Sequence, residues 1–215
     1  MNQRSFVPGL GFAFLTPVYD LFLAVTMREA TLRATLLEQV DLRHTNTIVD
    51  VGCGTGTQPI MLKQEAPHAT VLGIDVDPAM IARAKEKTRA AGVDVRFEVG
   101  EAGALPFADA SIDVVVSTLV FHHLLDNDKK RALAEIRRVL KPRGRFHLAD
   151  FGRPANALNG FVFNAVRRFD GVANTEMNAV GALPELVRVS GFPDTRLVSR
   201  MDTILGTVDF IVASQ

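Results

Sequence analysis

The chain has 215 residues, of which 47% are hydrophobic, so it is long enough to bury a sizeable core and too apolar to remain disordered. Its 24 Lys and Arg balance 24 Asp and Glu, which argues against a nucleic-acid-binding protein because such proteins need a basic excess on one face. Cys53 is the only cysteine, which excludes an internal disulfide and a cysteine metal cluster and favours a reducing, cytoplasmic compartment.

The N-terminal segment is apolar but interrupted. Residues 5–19 carry no charge, yet Pro8, Gly9, Gly11 and Pro17 break any continuous helix. The run is shorter than the roughly 20 residues that span a bilayer, and no small-residue cleavage pattern follows it. We expect an apolar arm that either covers a pocket or makes peripheral contact with a membrane surface.

Beyond this arm, predicted helices and strands alternate as far as residue 152. Spaced leucines predict a helix over residues 20–40. Five strands are then expected at residues 47–52, 70–75, 93–100, 111–118 and 145–152, and three further helices at residues 57–66, 77–92 and 127–144. This alternation is typical of βαβ units and a parallel sheet.

The rhythm changes after residue 152. Residues 153–181 are rich in Asn, Gly and Phe and lack a clear period. A short helix is predicted within residues 182–192, and residues 195–214 predict two antiparallel strands that meet at Gly206. The chain therefore predicts a Rossmann-like, doubly wound α/β fold. Its seven-stranded sheet is mostly parallel, with a C-terminal antiparallel strand and helices on both faces.

The stretch DVGCGTGT, residues 50–57, follows the first predicted strand and opens a helix. Glycine turns and helix N-termini expose N–H groups at the edge of a parallel sheet where ligands bind. The glycines Gly52, Gly54 and Gly56 have the spacing G-x-G-x-G, and Thr57 stands one place after them. A dinucleotide site needs G-x-G-x-x-G and a phosphate loop needs a following Lys. The pattern predicts a nucleotide-type ligand without a pyrophosphate, which disfavours an NAD-dependent oxidoreductase.

An acidic residue ends the second predicted strand. Asp75 lies 19 residues after Gly56, a spacing that suits a carboxylate bound to both hydroxyls of a ribose. Asp77 precedes Pro78 and is better explained as the N-cap of the next helix.

Four segments together carry a family resemblance: VDVGCGTG, VLGIDVDPAMIARAKEK, VGEAGALPFADASIDVVVST and EIRRVLKPRGRFHLADF. Their order and spacing over about residues 45–152 resemble the class I S-adenosylmethionine-dependent methyltransferases. The likeness is greatest to the small-molecule branch that includes the ubiquinone/menaquinone C-methyltransferases. The resemblance implies S-adenosylmethionine as cofactor, S-adenosylhomocysteine as product, and a single methyltransferase domain over residues 1–215. Its expected parts are an N-terminal helical cover (1–40), a cofactor-binding core (45–152), a substrate cover (153–181) and a C-terminal helix with a β-hairpin (182–215).

The resemblance also implies which residues contact the cofactor. They are Tyr19, Arg28, Asp50, Gly52, Cys53, Gly54, Gly56, Asp75, Val76, Glu101, Ala102, Thr118 and Leu119. Within this set, Tyr19 and Arg28 are expected at the carboxylate of the cofactor and Asp50 near its ammonium. Glu101 stands where the family usually has Asp, so its contact with the adenine amino group is made by a side chain that is one methylene longer.

Methyl transfer needs a base only if the acceptor is still protonated. His122 and His123 follow the fourth strand and Asp150 ends the fifth, so these three residues are the candidate catalytic groups. A structural turn is the alternative reading of the two histidines. Adjacent histidines in a strand-like turn point to opposite sides, so we expect no metal site there.

Two functions remain open at this point. The first is methyl transfer from S-adenosylmethionine to a small, hydrophobic or aromatic acceptor, and the second is a non-catalytic module of the same fold that binds S-adenosylmethionine or S-adenosylhomocysteine. The expected partner is a small-molecule acceptor rather than nucleic acid. Both a monomer and a homodimer are compatible with the sequence.

Overall fold

The structure is a computed structural model that describes residues 28–215. The predicted apolar arm, Tyr19 and the first part of the predicted helix 20–40 lie outside these residues. Within residues 28–215, no helix is both long enough and apolar enough to cross a membrane.

Seven α-helices and seven strands make up the described part of the chain. The helices are α1 (Glu29–Glu38), α2 (Thr57–Glu65), α3 (Pro78–Ala91), α4 (Asp126–Val139), α5 (Ala157–Asp170), α6 (Val172–Val180) and α7 (Leu183–Val189). The strands are β1 (Thr47–Val51), β2 (Thr70–Asp75), β3 (Arg96–Val99), β4 (Ile112–Thr118), β5 (Leu140–Phe151), β6 (Asp194–Asp202) and β7 (Thr207–Ser214). Two 3-10 turns, Leu42–His44 and Phe121–His123, precede β1 and follow β4.

All seven strands form one sheet in the order β3-β2-β1-β4-β5-β7-β6. Strands β1 to β5 are parallel, whereas β7 runs antiparallel to both β5 and β6. The predicted fold class is therefore confirmed. The register pairs Val51 with Ile74 and Asp75 with Val99, so the carboxyl ends of neighbouring strands lie level at one edge.

The central strands are buried on both faces, as parallel strands covered by helices must be. Val49, Val51 and Val115 belong to the core on the side of α4 and α7. Ile48 and Val116 belong to the core on the side of α1 and α2. Because side chains alternate along a strand, a run of apolar residues fills both layers.

One boundary differs from the prediction. Helix α4 ends at Val139, and β5 begins at Leu140, before the Pro142 and Gly144 that were expected to end the helix. The pairing of β4 with β5 shifts register there, between Ile112 and Val114. Proline has no N–H for a sheet ladder, so the irregular start of β5 accommodates Pro142.

The segment 153–181 also differs, because it forms two helices where the sequence shows no period. Asn156 caps α5 by accepting a hydrogen bond from the N–H of Asn159 at 2.9 Å, and Gly181 ends α6 with a left-handed φ of 76°. Asn156 and Gly181, two of the residues that obscured the pattern, therefore act as helix ends. Phe163 of α5 is buried against Phe151, with ring centroids 4.8 Å apart.

We predict opposite effects on stability for two glycine-to-alanine substitutions. A Cβ at Gly73 in β2 would lie 2.6 Å from Phe97 and 2.8 Å from the sulfur of Cys53. Gly73→Ala should therefore lower the free energy of unfolding by about 1–3 kcal/mol through overpacking. Gly160 lies in α5, and its Cβ would come no closer than 3.7 Å to Pro154. Gly160→Ala should raise stability by about 0.5–1 kcal/mol. Urea unfolding of both variants measures the two signs, and a stabilising Gly73→Ala would contradict the packing described here.

Candidate functional site

Most of the residues predicted to contact a cofactor come together at the carboxyl edge of the sheet, across four neighbouring strands. They are residues 52–56 after β1, Asp75 and Val76 at the end of β2, Glu101 and Ala102 after β3, and Thr118 and Leu119 at the end of β4. In parallel sheets this edge is where ligands bind.

The backbone of the glycine loop adopts left-handed conformations that residues with a side chain rarely adopt. Gly52 and Gly54 have φ values of 77° and 52°. A Cβ at Gly52 would lie 2.2 Å from the side chain of Val120, whereas a Cβ at Gly54 would meet nothing within 4 Å. Gly52 thus permits close packing against the loop after β4, and Gly54 leaves open space where a ligand can approach the backbone.

The carboxylate of Asp75 holds this loop to the end of β2. Its two oxygens accept hydrogen bonds from the N–H groups of Gly54 at 2.8 Å and Asp77 at 2.9 Å. Each carboxylate oxygen has two lone pairs, so each can accept a further hydrogen bond from a ligand hydroxyl. Asp77 caps α3, as predicted, by accepting from the N–H of Ala79 at 2.8 Å.

Asp50 is a buried carboxyl group at this edge with an unsatisfied oxygen. It is 1% exposed, and its Oδ1 atom has no hydrogen-bond partner among the described residues. Burial raises the pKa of Asp50 to about 7, while Arg33 opposes the shift and Asp75 adds to it. Burial also raises the pKa of the Cys53 thiol, which therefore stays neutral at pH 7 and is a poor nucleophile.

Two further polar side chains here are buried without partners in the described part of the chain. Gln58, in the first turn of α2, is 0% exposed, and neither atom of its amide makes a hydrogen bond. The hydroxyl of Thr118 at the end of β4 is in the same situation. Because unpaired buried polar groups are costly, they point to a polar ligand. Together with the open space at Gly54 and the acidic Asp50 and Asp75, these groups fit a cofactor that carries an amino acid and a ribose.

The structure places two arginines of α1 in different surroundings. Arg28 precedes the helix and lines a cleft of about 370 Å³ with α5 and the β6–β7 turn, where Leu158 and Asp202 are among its neighbours. Arg33, in the second turn of α1, forms an ion pair with Glu29 at 2.7 Å and acts electrostatically on both Asp50 and Cys53. Arg33, which was not among the predicted cofactor contacts, is therefore a cation that acts on the glycine loop and on β1.

A histidine and an aspartate form a hydrogen-bonded pair at the same edge. The Nδ1 atom of His122 lies 2.9 Å from Oδ1 of Asp150, and the two residues are 4% and 0% exposed. Oδ2 of Asp150 accepts from the N–H groups of Val120 at 2.9 Å and Phe121 at 2.7 Å, and Oδ1 accepts from that of Phe151 at 2.8 Å. Burial alone would raise the pKa of Asp150, but His122 and these donors hold it below its usual value.

The sequence led us to expect the two histidines to point to opposite sides, but in the structure their rings lie against each other. Residues 121–123 form a 3-10 turn rather than a strand-like turn, and the ring centroids of His122 and His123 are 3.9 Å apart. His122, then burial, lowers the pKa of His123, while Asp150 opposes that shift. No cluster of three metal-ligating side chains is found among residues 28–215.

Helix α6 contributes further hydrogen-bond donors to the His122–Asp150 pair and its surroundings. Asn178 is 0% exposed and its Nδ2 donates to Oδ1 of Asp150 at 3.1 Å and to the carbonyl of Phe151 at 2.8 Å. The Nδ2 of Asn174 donates to the carbonyl of His123 at 3.1 Å. Buried Lys129 donates to the carbonyls of Asn174 at 2.5 Å and of Leu124, at the end of the turn, at 2.6 Å.

Three residues of this site were not predicted from the sequence. Arg33 carried a usable signal, because it lies five residues after Arg28 on the same predicted helix. Gln58 had none, since a glutamine in a first helical turn is ordinarily solvated. Asn178 had none either, because it lies in the segment where no element was predicted.

Comparison with known proteins agrees with this geometry. Residues 48–144 match a family described as a methyltransferase domain. The demethylmenaquinone methyltransferase of Deinococcus radiodurans is 35% identical over 88% of this chain and 80% of its own length. The enzyme of the same name from Thermus thermophilus is 36% identical over 85% of this chain and 86% of its own length.

A solved structure supports the fold. The S-adenosylmethionine-dependent methyltransferase of Aquifex aeolicus superposes with a TM-score of 0.66 over 93% of this chain and 98% of its own, at 19% identity. With the two relatives above, these findings establish an enzyme that uses S-adenosylmethionine as methyl donor. The chain belongs to the class I S-adenosylmethionine-dependent methyltransferases, in the ubiquinone/menaquinone C-methyltransferase-like branch.

Proposed function

We propose that this enzyme methylates a small aromatic acceptor that bears an ionisable hydroxyl, such as a hydroquinone or a phenol, and that His122 is the base. The observation that carries the proposal is the hydrogen bond of 2.9 Å between His122 and Asp150 at the edge that holds the glycine loop. The names of the two demethylmenaquinone methyltransferases give further support for a quinone-like acceptor.

The hydrogen bond specifies the tautomer of His122. An ionised carboxylate can only accept, so Nδ1 carries the proton and Nε2 carries the lone pair. A phenolic hydroxyl has an ordinary pKa of about 10, and a positioned imidazole can remove its proton as the bond to the methyl group forms. Deprotonation makes both the oxygen and the adjacent ring carbons nucleophilic. The bound cofactor supplies an electrophilic methyl group on a positively charged sulfur.

Asp150 then orients the base rather than acting as one. It is 0% exposed and surrounded by donors, so the acceptor hydroxyl has no access to its oxygens. His122 also packs against Phe151, with ring centroids 4.9 Å apart at an interplanar angle of 79°. An aromatic wall beside the base favours an apolar, planar acceptor.

We assign the cofactor contacts from the geometry at the edge. Asp75 would hold the ribose hydroxyls, and Val76, which is 43% exposed, would pack against the adenine. Asp50 would pair with the ammonium of the methionine part and Arg33 with its carboxylate. In this proposal the cost of burying Asp50 without a partner is offset when the cofactor binds. The cover formed by α5 and α6 would close over the acceptor.

His122→Gln should lower kcat at least about 100-fold, because general bases contribute roughly 10²–10⁴ to the rate. The assay is methyl transfer from S-adenosylmethionine to a reduced naphthoquinone with a short side chain. His44→Gln is the matched control and should change kcat by less than about threefold, because His44 is exposed in the turn before β1, away from the carboxyl edge of the sheet. The affinity of both variants for S-adenosylhomocysteine should equal that of the wild type. Full activity of His122→Gln would show that the acceptor needs no base.

Asp75→Asn should weaken S-adenosylhomocysteine binding at least about tenfold, since a hydrogen bond to a charged group contributes about 1.5–3 kcal/mol. Isothermal titration calorimetry measures the loss. Asp77→Asn is the control, because asparagine is an equally good N-cap and Asp77 is assigned no ligand contact. Unchanged affinity of a folded Asp75→Asn variant would place the ribose elsewhere.

Asp50→Asn should stabilise the protein without its cofactor at pH 8 but not at pH 4. The pKa of Asp50 is raised from 3.8 to about 7 in the folded state, so the folded protein retains a proton that the unfolded chain releases between these values. Stability therefore falls as the pH rises through this window. The Asp50→Asn variant has no carboxyl group to titrate at this position. Above pH 7 its free energy of unfolding should therefore exceed that of the wild type by up to about 4 kcal/mol.

Urea unfolding at pH 4, 6 and 8 measures this dependence. Asp94→Asn, an exposed aspartate before β3, controls for the loss of one negative charge. A stability difference between Asp50→Asn and wild type that stays constant with pH would contradict the raised pKa.

A further inference from the structure

We propose that Asn178 is a positioning residue for methyl transfer, which fixes Asp150 so that Asp150 in turn fixes the tautomer of His122. The proposal rests on the proposed function, in which His122 is the base. It assigns a role in the reaction to α6, a helix that lies outside the cofactor-binding core.

The geometry links the three residues through a single oxygen. Oδ1 of Asp150 accepts from Nδ1 of His122 at 2.9 Å and from Nδ2 of Asn178 at 3.1 Å. The same amide nitrogen of Asn178 donates its second hydrogen to the carbonyl of Phe151 at 2.8 Å. Because one nitrogen bridges the side chain of Asp150 and the backbone of the next residue, it restrains rotation of the carboxylate about its Cβ–Cγ bond, in addition to the backbone N–H groups that also hold it.

The choice of asparagine suits this role. A buried carboxylate needs donors, and an amide provides two hydrogens without adding a charge that would compete for the proton. A lysine or arginine at this position would form an ion pair with Asp150 and weaken its hold on the imidazole. Two other titratable groups, Lys129 and Asp209, already interact electrostatically with Asp150.

The docking of α6 does not depend on Asn178 alone. One turn earlier, Asn174 donates to the carbonyl of His123 at 3.1 Å, and its own carbonyl accepts from buried Lys129 at 2.5 Å. Thr175, which is also buried, bonds to Arg167 at 3.1 Å. A loss of the Asn178 amide therefore leaves the helix attached, so its effect on His122 can be measured in a folded protein.

The first test uses the wild-type enzyme. Carbon and nitrogen chemical shifts of isotope-labelled histidine distinguish the Nδ1–H from the Nε2–H tautomer, and the His122→Gln spectrum identifies the signal. The proposal expects His122 as the Nδ1–H tautomer at pH 8. A wild-type His122 in the Nε2–H form would overturn it, whatever the variants do.

The second test compares Asn178→Leu with Asn174→Leu. Leucine has nearly the shape of asparagine but donates nothing. Asn178→Leu should give a mixture of His122 tautomers and lower kcat about tenfold, the effect of one hydrogen bond to a charged group. The KM of the naphthohydroquinone and the affinity for S-adenosylhomocysteine should not change. Asn174→Leu should lower the thermal midpoint but keep the wild-type tautomer and kcat.

The contrary results are distinct. Equal changes in both variants would reduce Asn178 to a helix-docking residue, and an unchanged tautomer in Asn178→Leu would also overturn the proposal. Asn178→Ser, which keeps a small donor, should recover part of the lost kcat if the leucine variant does not fold. Failure of the proposed function gives a different result. In that case His122→Gln keeps the wild-type kcat, while Asn178→Leu still shifts the tautomer of His122.

Discussion

The edge of the sheet that faces the ligand depends on one buried negative charge, the carboxylate of Asp150. A carboxylate without exposed surface persists only where donors replace its water. Here the donors come from the turn after β4, from β5 itself and from α6, elements that are distant in sequence. If any of these segments moved away, the buried carboxylate would lose a hydrogen-bond donor and the fold would lose stability. The burial of Asp150 therefore constrains how the turn after β4, β5 and α6 pack together. The orientation of His122 follows from the same requirement.

Asp75 and Asp50 show two ways in which a binding edge treats carboxyl groups. Asp75 is satisfied within the protein and gives the glycine loop its shape. Asp50 is buried with an oxygen that lacks a partner among the described residues, and it carries the raised pKa. Functional sites commonly break a local rule that the rest of the fold obeys. Asp75 thus shapes the glycine loop, whereas Asp50 has an unsatisfied oxygen that can accept a hydrogen bond from a cationic ligand.

Local patterns in the sequence predicted the parallel core and its ligand edge. The strands, the glycine spacing, Asp75 and the Asp77 cap depend on residues close together in the chain, so their signals survive in the sequence. The helices α5 and α6 were not predicted, although Asn156 and Gly181 are typical end residues, because further Asn and Gly residues inside them obscured any period. The choice between Arg28 and Arg33 depends on how α1 is rotated over the sheet. That rotation is set by the burial of Leu32 and Leu36, a tertiary constraint.

Val120 connects the two halves of the site. Its side chain occupies the volume that a Cβ at Gly52 would need, and its N–H holds Asp150. The spacing between the glycine loop and the His122–Asp150 pair is thereby set by one residue that contacts both. A substitution of Val120 by a larger or smaller residue would therefore move the glycine loop and the His122–Asp150 pair relative to each other, so the two parts of the site cannot be altered independently at this position.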